Sequence, residues 1–317
     1  GRTPMPCSGQ ICEALSGMEL WIVVTIAAAF FQTVRFMLQK LLSASALSSA
    51  GATFARFLYS APLVVVFLAL YCVATDSLLP ATTLRYWLFA LSGGLSQILA
   101  TLCVVMLFQS RNFAVGITFK KTEVIQTALV GWLLLGESIS SLGVGVIVIG
   151  LIGVLMLSET PGLGGDWWRR ICNRASGLGV LSGFLFAISG VCYRGATLEL
   201  ASEDPLLRAG MTLACVTSAQ LIAMALWLRL FEPGQISAVW GARRTAAWIG
   251  LTSMAGSFCW FTAFTLQTVA YVNALGQIEL VFSLLATVFF FKEPITRREL
   301  YGLGVLSVSI LGLIMVI

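Results

Sequence analysis

The chain has 317 residues, 58% of them hydrophobic and 10% charged, with a net charge of +5 and a mean hydropathy of +0.94. Soluble domains carry about 25% charged residues, so a soluble globular fold is excluded, and the basic excess reads as membrane topology rather than affinity for nucleic acid. Histidine is absent, which removes Ser-His and Cys-His nucleophile pairs and His-rich metal sites; no metal, cofactor or catalytic residue is expected.

Residues 1–18 form a polar N-terminal tail containing Gly, Ser and Pro. It lacks a basic segment followed by a short apolar core, so no signal peptide is expected, and Met18 reads as a natural start. Ten apolar spans follow, at about 20–41, 49–73, 86–108, 113–135, 139–157, 177–199, 206–230, 245–266, 270–291 and 300–317. Each is about the ~20 residues a helix needs to cross a bilayer. All are expected to be helical, because lipid offers no partner to an open backbone. The fold class is therefore an all-α polytopic membrane protein.

The connections are short except at 159–176, a linker with Pro161, Trp167, Trp168, Arg169, Arg170 and Arg174. Trp beside Arg at a span edge is an interfacial anchor pattern. The linker sits at the midpoint of the chain, and the halves match across it. A shift of 156 pairs Cys103 with Cys259, Glu123 with Glu279 and Glu137 with Glu293. A shift of 159 pairs Arg35 with Arg194, and Gly143, Gly145 and Gly153 with Gly302, Gly304 and Gly312. Two five-span repeats, 19–158 and 177–317, follow from this. Five is odd, so the second repeat enters the membrane inverted, a signature of carriers whose site lies at the midplane between the halves.

Eleven Lys and Arg residues fall in the loops after odd-numbered spans and three on the other side. The positive-inside rule then puts the linker in the cytoplasm. Five of the eight cysteines, Cys72, Cys103, Cys192, Cys215 and Cys259, lie in apolar segments as small hydrophobes; Cys7 and Cys12 are near enough in sequence to pair.

The charges inside the spans stand out. Arg35, Arg56, Lys120, Lys121, Glu123, Arg194 and Glu279 fall within or close to apolar segments, where a central charge costs about 2.5–3.5 kcal/mol on insertion scales. The competing explanation is snorkelling to the interface or a structural ion pair. Helical spacing puts Thr25, Gln32, Arg35 and Gln39 on one face of span one, and Ser49, Thr53, Arg56 and Ser60 on one face of span two. In span four Lys120 can pair with Glu123 at i,i+3, while Lys121 points away from Glu123 in a regular helix. Span nine carries Gln277 and Glu279, but Gly276 stands where a pairing lysine would be. Glu279 is therefore expected to lack a basic partner unless Arg35 or Arg194 reaches it, which makes it the first candidate for proton coupling and Glu123 the second. The glycines of spans five and ten read as helix packing.

The late parts of the halves, KKTEVIQTALVGWLLLGESISSLGVGVIVIGLIGVLML and GQIELVFSLLATVFFFKEPITRRELYGLGVLSVSILGLIMV, resemble the drug/metabolite transporter superfamily in its ten-span form with two EamA-type repeats. Glu137 and Glu293 fit the family's turn glutamate, and Arg56 in ATFARFLYSAP fits its Arg-Phe in the second span. The second half has Cys215 where Arg56 stands in the first, and span four has Lys-Thr-Glu where many members carry proline. The resemblance implies a secondary transporter working by alternating access, and export from the cytoplasm across a bacterial inner membrane.

The expected substrate site comprises Gln32, Arg35, Gln39, Arg56, Lys120, Lys121, Glu123, Tyr193, Arg194, Trp260 and Gln277. Its excess of cations favours an anionic or amino-acid-like metabolite. The expected partners are that small molecule and the bilayer, with no nucleic acid, and the chain acts as a monomer or homodimer. The alternative is an intramembrane enzyme acting on a lipid-linked substrate. The missing histidine and the lack of a paired Asp motif weigh against it.

Overall fold

The computed structural model describes residues 8–43, 47–108, 120–157, 174–282, 285 and 297–316. Eleven helices occur among them: α1 (Ser8–Ser43), α2 (Ser49–Thr75), α3 (Leu84–Phe108), α4 (Glu123–Leu135), α5 (Ser141–Leu157), α6 (Arg174–Leu198), α7 (Pro205–Phe231), α8 (Gln235–Gly241), α9 (Arg243–Leu266), α10 (Val269–Gly276) and α11 (Arg297–Val316). No strand occurs among the described residues. Five helices are long and apolar enough to cross a membrane, and five shorter apolar segments complete the ten spans. The chain is a multi-pass membrane protein built as two inverted five-helix repeats.

Local chemistry sets the helix ends. Ser48 caps α2 by accepting from the Gly51 amide at 3.0 Å, and Asp204 caps α7 by accepting from the Leu206 amide at 2.9 Å, with Pro205 in the first turn. Gly136 ends α4 at φ 68°, a left-handed conformation that glycine adopts without strain. The sides of the helices follow the solvent they meet. Leu88, Leu91, Leu95 and Leu99 recur at three- and four-residue steps along α3 and are 42–64% exposed, while Gly93, Gly94 and Ile98 between them are buried. That polarity is the reverse of a soluble protein's, and it suits a lipid-facing surface.

The packing has the symmetry of the repeat. Span three (α3) packs on span six (α6), and span eight (α9) on span one (α1); span two packs on seven, and five on ten. Exchanging each span for its counterpart five places on returns the same set of contacts. Glycine lets two of these pairs close up. A Cβ on Gly93 would stand 2.9 Å from the Tyr193 ring, and one on Gly153 would stand 2.7 Å from the Leu306 backbone nitrogen. Gly150 faces Ser309 in the same way, and Ser309 donates to the Val146 carbonyl at 2.8 Å.

Several expectations need correction. Gly145 and Gly304 meet nothing within 4 Å, so they do not pack as the other glycines of spans five and ten do. Helix α1 begins at Ser8, inside the segment read as a tail. A short helix, α8, lies between spans seven and eight. Spans four and nine are not regular helices. Span four is interrupted at Lys121 and Thr122, and span nine at Gln277 and Ile278. These positions are equivalent under the shift of 156. The interruptions are tightened rather than unwound: the Ile125 amide bonds the Thr122 carbonyl, and the Leu280 amide the Gln277 carbonyl, three residues back. Most of the linker, the start of span four, the end of span nine, Glu293, Cys7 and the side chains of Cys12 and Gln39 lie outside the described residues.

Candidate functional site

The two interruptions face each other. Helix α10 runs eight residues before its break, about 12 Å at 1.5 Å per residue, which is close to half of a ~30 Å hydrocarbon core. Lys120 leans back on its own helix, with Nζ 3.0 Å from Glu123 Oε2 and 4.9 Å from the Phe186 ring centroid. Lys121 crosses to the other repeat and ion-pairs with Glu279 Oε1. Consecutive helical residues point about 100° apart, so the two lysines reach different carboxylates.

Neighbouring amides complete both carboxylates. Trp260 Nε1 can only donate, and it donates to Gln32 Oε1 at 3.0 Å. This fixes the Gln32 amide, whose Nε2 then donates to Glu279 Oε2 at 2.6 Å. Asn273 Nδ2 reaches Thr127 Oγ1 at 3.0 Å and Glu123 Oε1 at 3.4 Å. Glu279 thus receives both donors from the first repeat, and Glu123 receives its lysine from within its own repeat.

The lysines and glutamates border a cavity enclosing about 760 Å³, including its open mouth. Ten of the twelve expected site residues line it: Gln32, Arg35, Arg56, Lys120, Lys121, Glu123, Tyr193, Trp260, Gln277 and Glu279. Arg35 is 6% exposed, Arg56 4%, Lys120 8% and Lys121 4%. Arg56 donates from Nε to Ser253 Oγ at 2.8 Å and from Nη2 to Ser257 Oγ at 3.2 Å. Two stacked aromatic pairs, Trp260 with Phe264 and Tyr193 with Phe261, form an apolar wall.

Two expectations fail on geometry. Glu279 does have a basic partner, and it is Lys121 rather than Arg35 or Arg194. Arg194 does not line the cavity. It ion-pairs with Glu137 and donates to the carbonyls of Phe264 at 2.7 Å and Gln267 at 2.8 Å. A guanidinium gathering carbonyls at the C-terminal end of α9 is well placed against the helix dipole, so Arg194 joins three chain segments at one edge of the bundle. Sequence reasoning also missed Gln97, Phe186, Ser189, Ser257 and Asn273, which line the cavity. Gln97 and Asn273 were findable as polar residues inside apolar spans, but neither belongs to a polar stripe. Gly276 has a steric explanation: a Cβ there would run into the Trp260 ring, so the second repeat has no room for a counterpart of Lys120.

Among the described residues no group of three or more His, Cys, Asp or Glu is placed to hold a metal ion. The profile of the EamA-like transporter family matches residues 19–159 and 174–316. One solved structure, the crystal structure of a protein 16% identical in sequence, superposes with a TM-score of 0.66 over 90% of this chain and 97% of its own. At that identity the likeness speaks to fold alone. No curated protein sequence matches the chain.

Proposed function

Because the chain belongs to the EamA-like transporter family, we propose that it is a secondary carrier moving a small anionic or amino-acid-like metabolite by alternating access. The observation that carries this reading is the cavity, whose charged wall is shared between the two inverted repeats. A bound solute touches both halves there, so its binding can bias how they rock against each other. The Lys121–Glu279 pair spans the same boundary. Proton uptake at Glu279 would release it, which is how a proton would couple to the movement.

We read the direction as export across a bacterial inner membrane, with the 159–176 linker inside. The eleven-to-three distribution of Lys and Arg supports that orientation. A cysteine introduced at position 165, with reactive native cysteines removed, should resist an impermeant reagent on intact right-side-out cells. Strong labelling from outside would reverse the topology.

The function itself is tested in two stages. Metabolites are screened by thermal shift on detergent-purified protein, since a ligand of the folded state raises apparent stability. Those that stabilise are then tested as counter-substrates in proteoliposomes. Stabilising ligands should exchange across the membrane; ligands that bind and never exchange would refute the carrier.

A further inference from the structure

The cavity has two chemically different ends. At the helix breaks the lysines are already matched, Lys120 with Glu123 and Lys121 with Glu279. Around Arg56 the partners are neutral: the hydroxyls of Ser253 and Ser257, and the Phe57 ring 5.3 Å away. No ion pair to Arg56 occurs among the described residues. Hydroxyls orient a guanidinium without cancelling its charge. An incoming anion would cancel it, and would gain from a dry, pre-oriented fork.

A chain of amides shows what else faces that charge. The Gly94 carbonyl accepts from Gln220 Nε2 at 2.9 Å, which fixes the orientation of the Gln220 amide. The same nitrogen donates to Gln97 Oε1 at 3.0 Å, and the Tyr193 hydroxyl donates to that oxygen at 3.1 Å. Gln97 Oε1 is therefore used twice. Its N–H₂ is what Gln97 has left to offer the cavity it lines. Arg56, Tyr193 and Gln97 all line the same cavity, so the guanidinium and the amide donors face one space.

We propose that Arg56, assisted by the Gln97 amide, docks the substrate's anionic group, and that this group is a carboxylate. Arg56 has only neutral partners, and its planar fork matches a planar carboxylate. The lysines serve the glutamates and do not supply the binding charge. This inference rests on the carrier reading for its biological meaning, but binding alone tests it.

Benzoate, phenyl phosphate and benzylamine share one apolar body suited to the aromatic wall and differ in head group. Their binding is measured by calorimetry on the purified full chain. Benzoate should bind the wild type most tightly. Arg56→Gln should weaken benzoate by about tenfold or more, Arg56→Lys should restore part of the loss, and Arg85→Gln, exposed at the surface, should change nothing. If Arg56→Gln fails to fold, Gln97→Glu keeps the acceptor used by Tyr193 and Gln220 but replaces the donor with a negative charge. It should lose benzoate and gain benzylamine. Absence of benzoate binding to the wild type, preference for phenyl phosphate, or benzoate affinity unchanged in Arg56→Gln or in Gln97→Glu would overturn the proposal. Benzoate that binds through Arg56 but is never exchanged by proteoliposomes would instead count against the carrier and leave the docking point standing.

Discussion

Glu123 and Glu279 occupy equivalent places in their repeats and are held in different ways. Lys120, in the same repeat, serves Glu123, whereas Lys121 and Gln32 reach Glu279 from the opposite repeat. A proton on Glu123 changes an ion pair inside one half; a proton on Glu279 loosens the ion pair between halves. Lys120 and Arg35 line the same cavity as Glu279, so a change in its charge is made among buried cations. Glu279→Gln should remove the pH dependence of transport while substrate exchange stays measurable in proteoliposomes under imposed pH gradients. Glu123→Gln should tighten binding of an anionic substrate, because Lys120 loses the carboxylate that cancels its charge on the cavity wall. Breaking a buried pair by removing one member costs roughly 3–5 kcal/mol, so each variant should also melt earlier, and Lys121→Met should recover part of the loss in Glu279→Gln. Transport and pH response unchanged in both glutamate variants would make the two pairs structural.

Among the elements, α5 and α11 give the sharpest contrast. Gly153 lies against the Leu306 backbone, while Gly145 has nothing within 4 Å. Gly153→Val should destabilise the protein by about 1–3 kcal/mol through overpacking. Gly145→Ala should be neutral or stabilising by up to ~1 kcal/mol, since alanine is the better helix former. Equal thermal denaturation of the two variants would contradict the packing.

Both glycines looked alike in the sequence, which shows where its information ends. Hydropathy and spacing report which residues share a helix face. They made legible the ten spans, the Lys120–Glu123 pair and the polar stripes of α1 and α2. They do not report which helix lies opposite a face. Arg35 and Arg194 match under the repeat, yet one lines the cavity and the other binds Glu137. The Lys121–Glu279 pair was hidden for the same reason, because its members lie 158 residues apart in different repeats.

Across the described residues, the main packing pairs of one repeat map onto those of the other when each span is exchanged for its counterpart, so the scaffold is close to two-fold symmetric. The charges at its centre are not. The first repeat carries both lysines, and the second has Gly276 and Gln277 at those positions. The protein is thus a heterodimer in a single chain, whose two subunits have divided the ionic work. Expressed as separate polypeptides, the two halves should reassemble by complementation. Two copies of the first half would bring four lysines to two glutamates, and two copies of the second would leave both glutamates without the lysine pair of the helix break. Neither half can stand in for the other, so the two must diverge together: a substitution that removes a carboxylate from one half strands a cation in the centre.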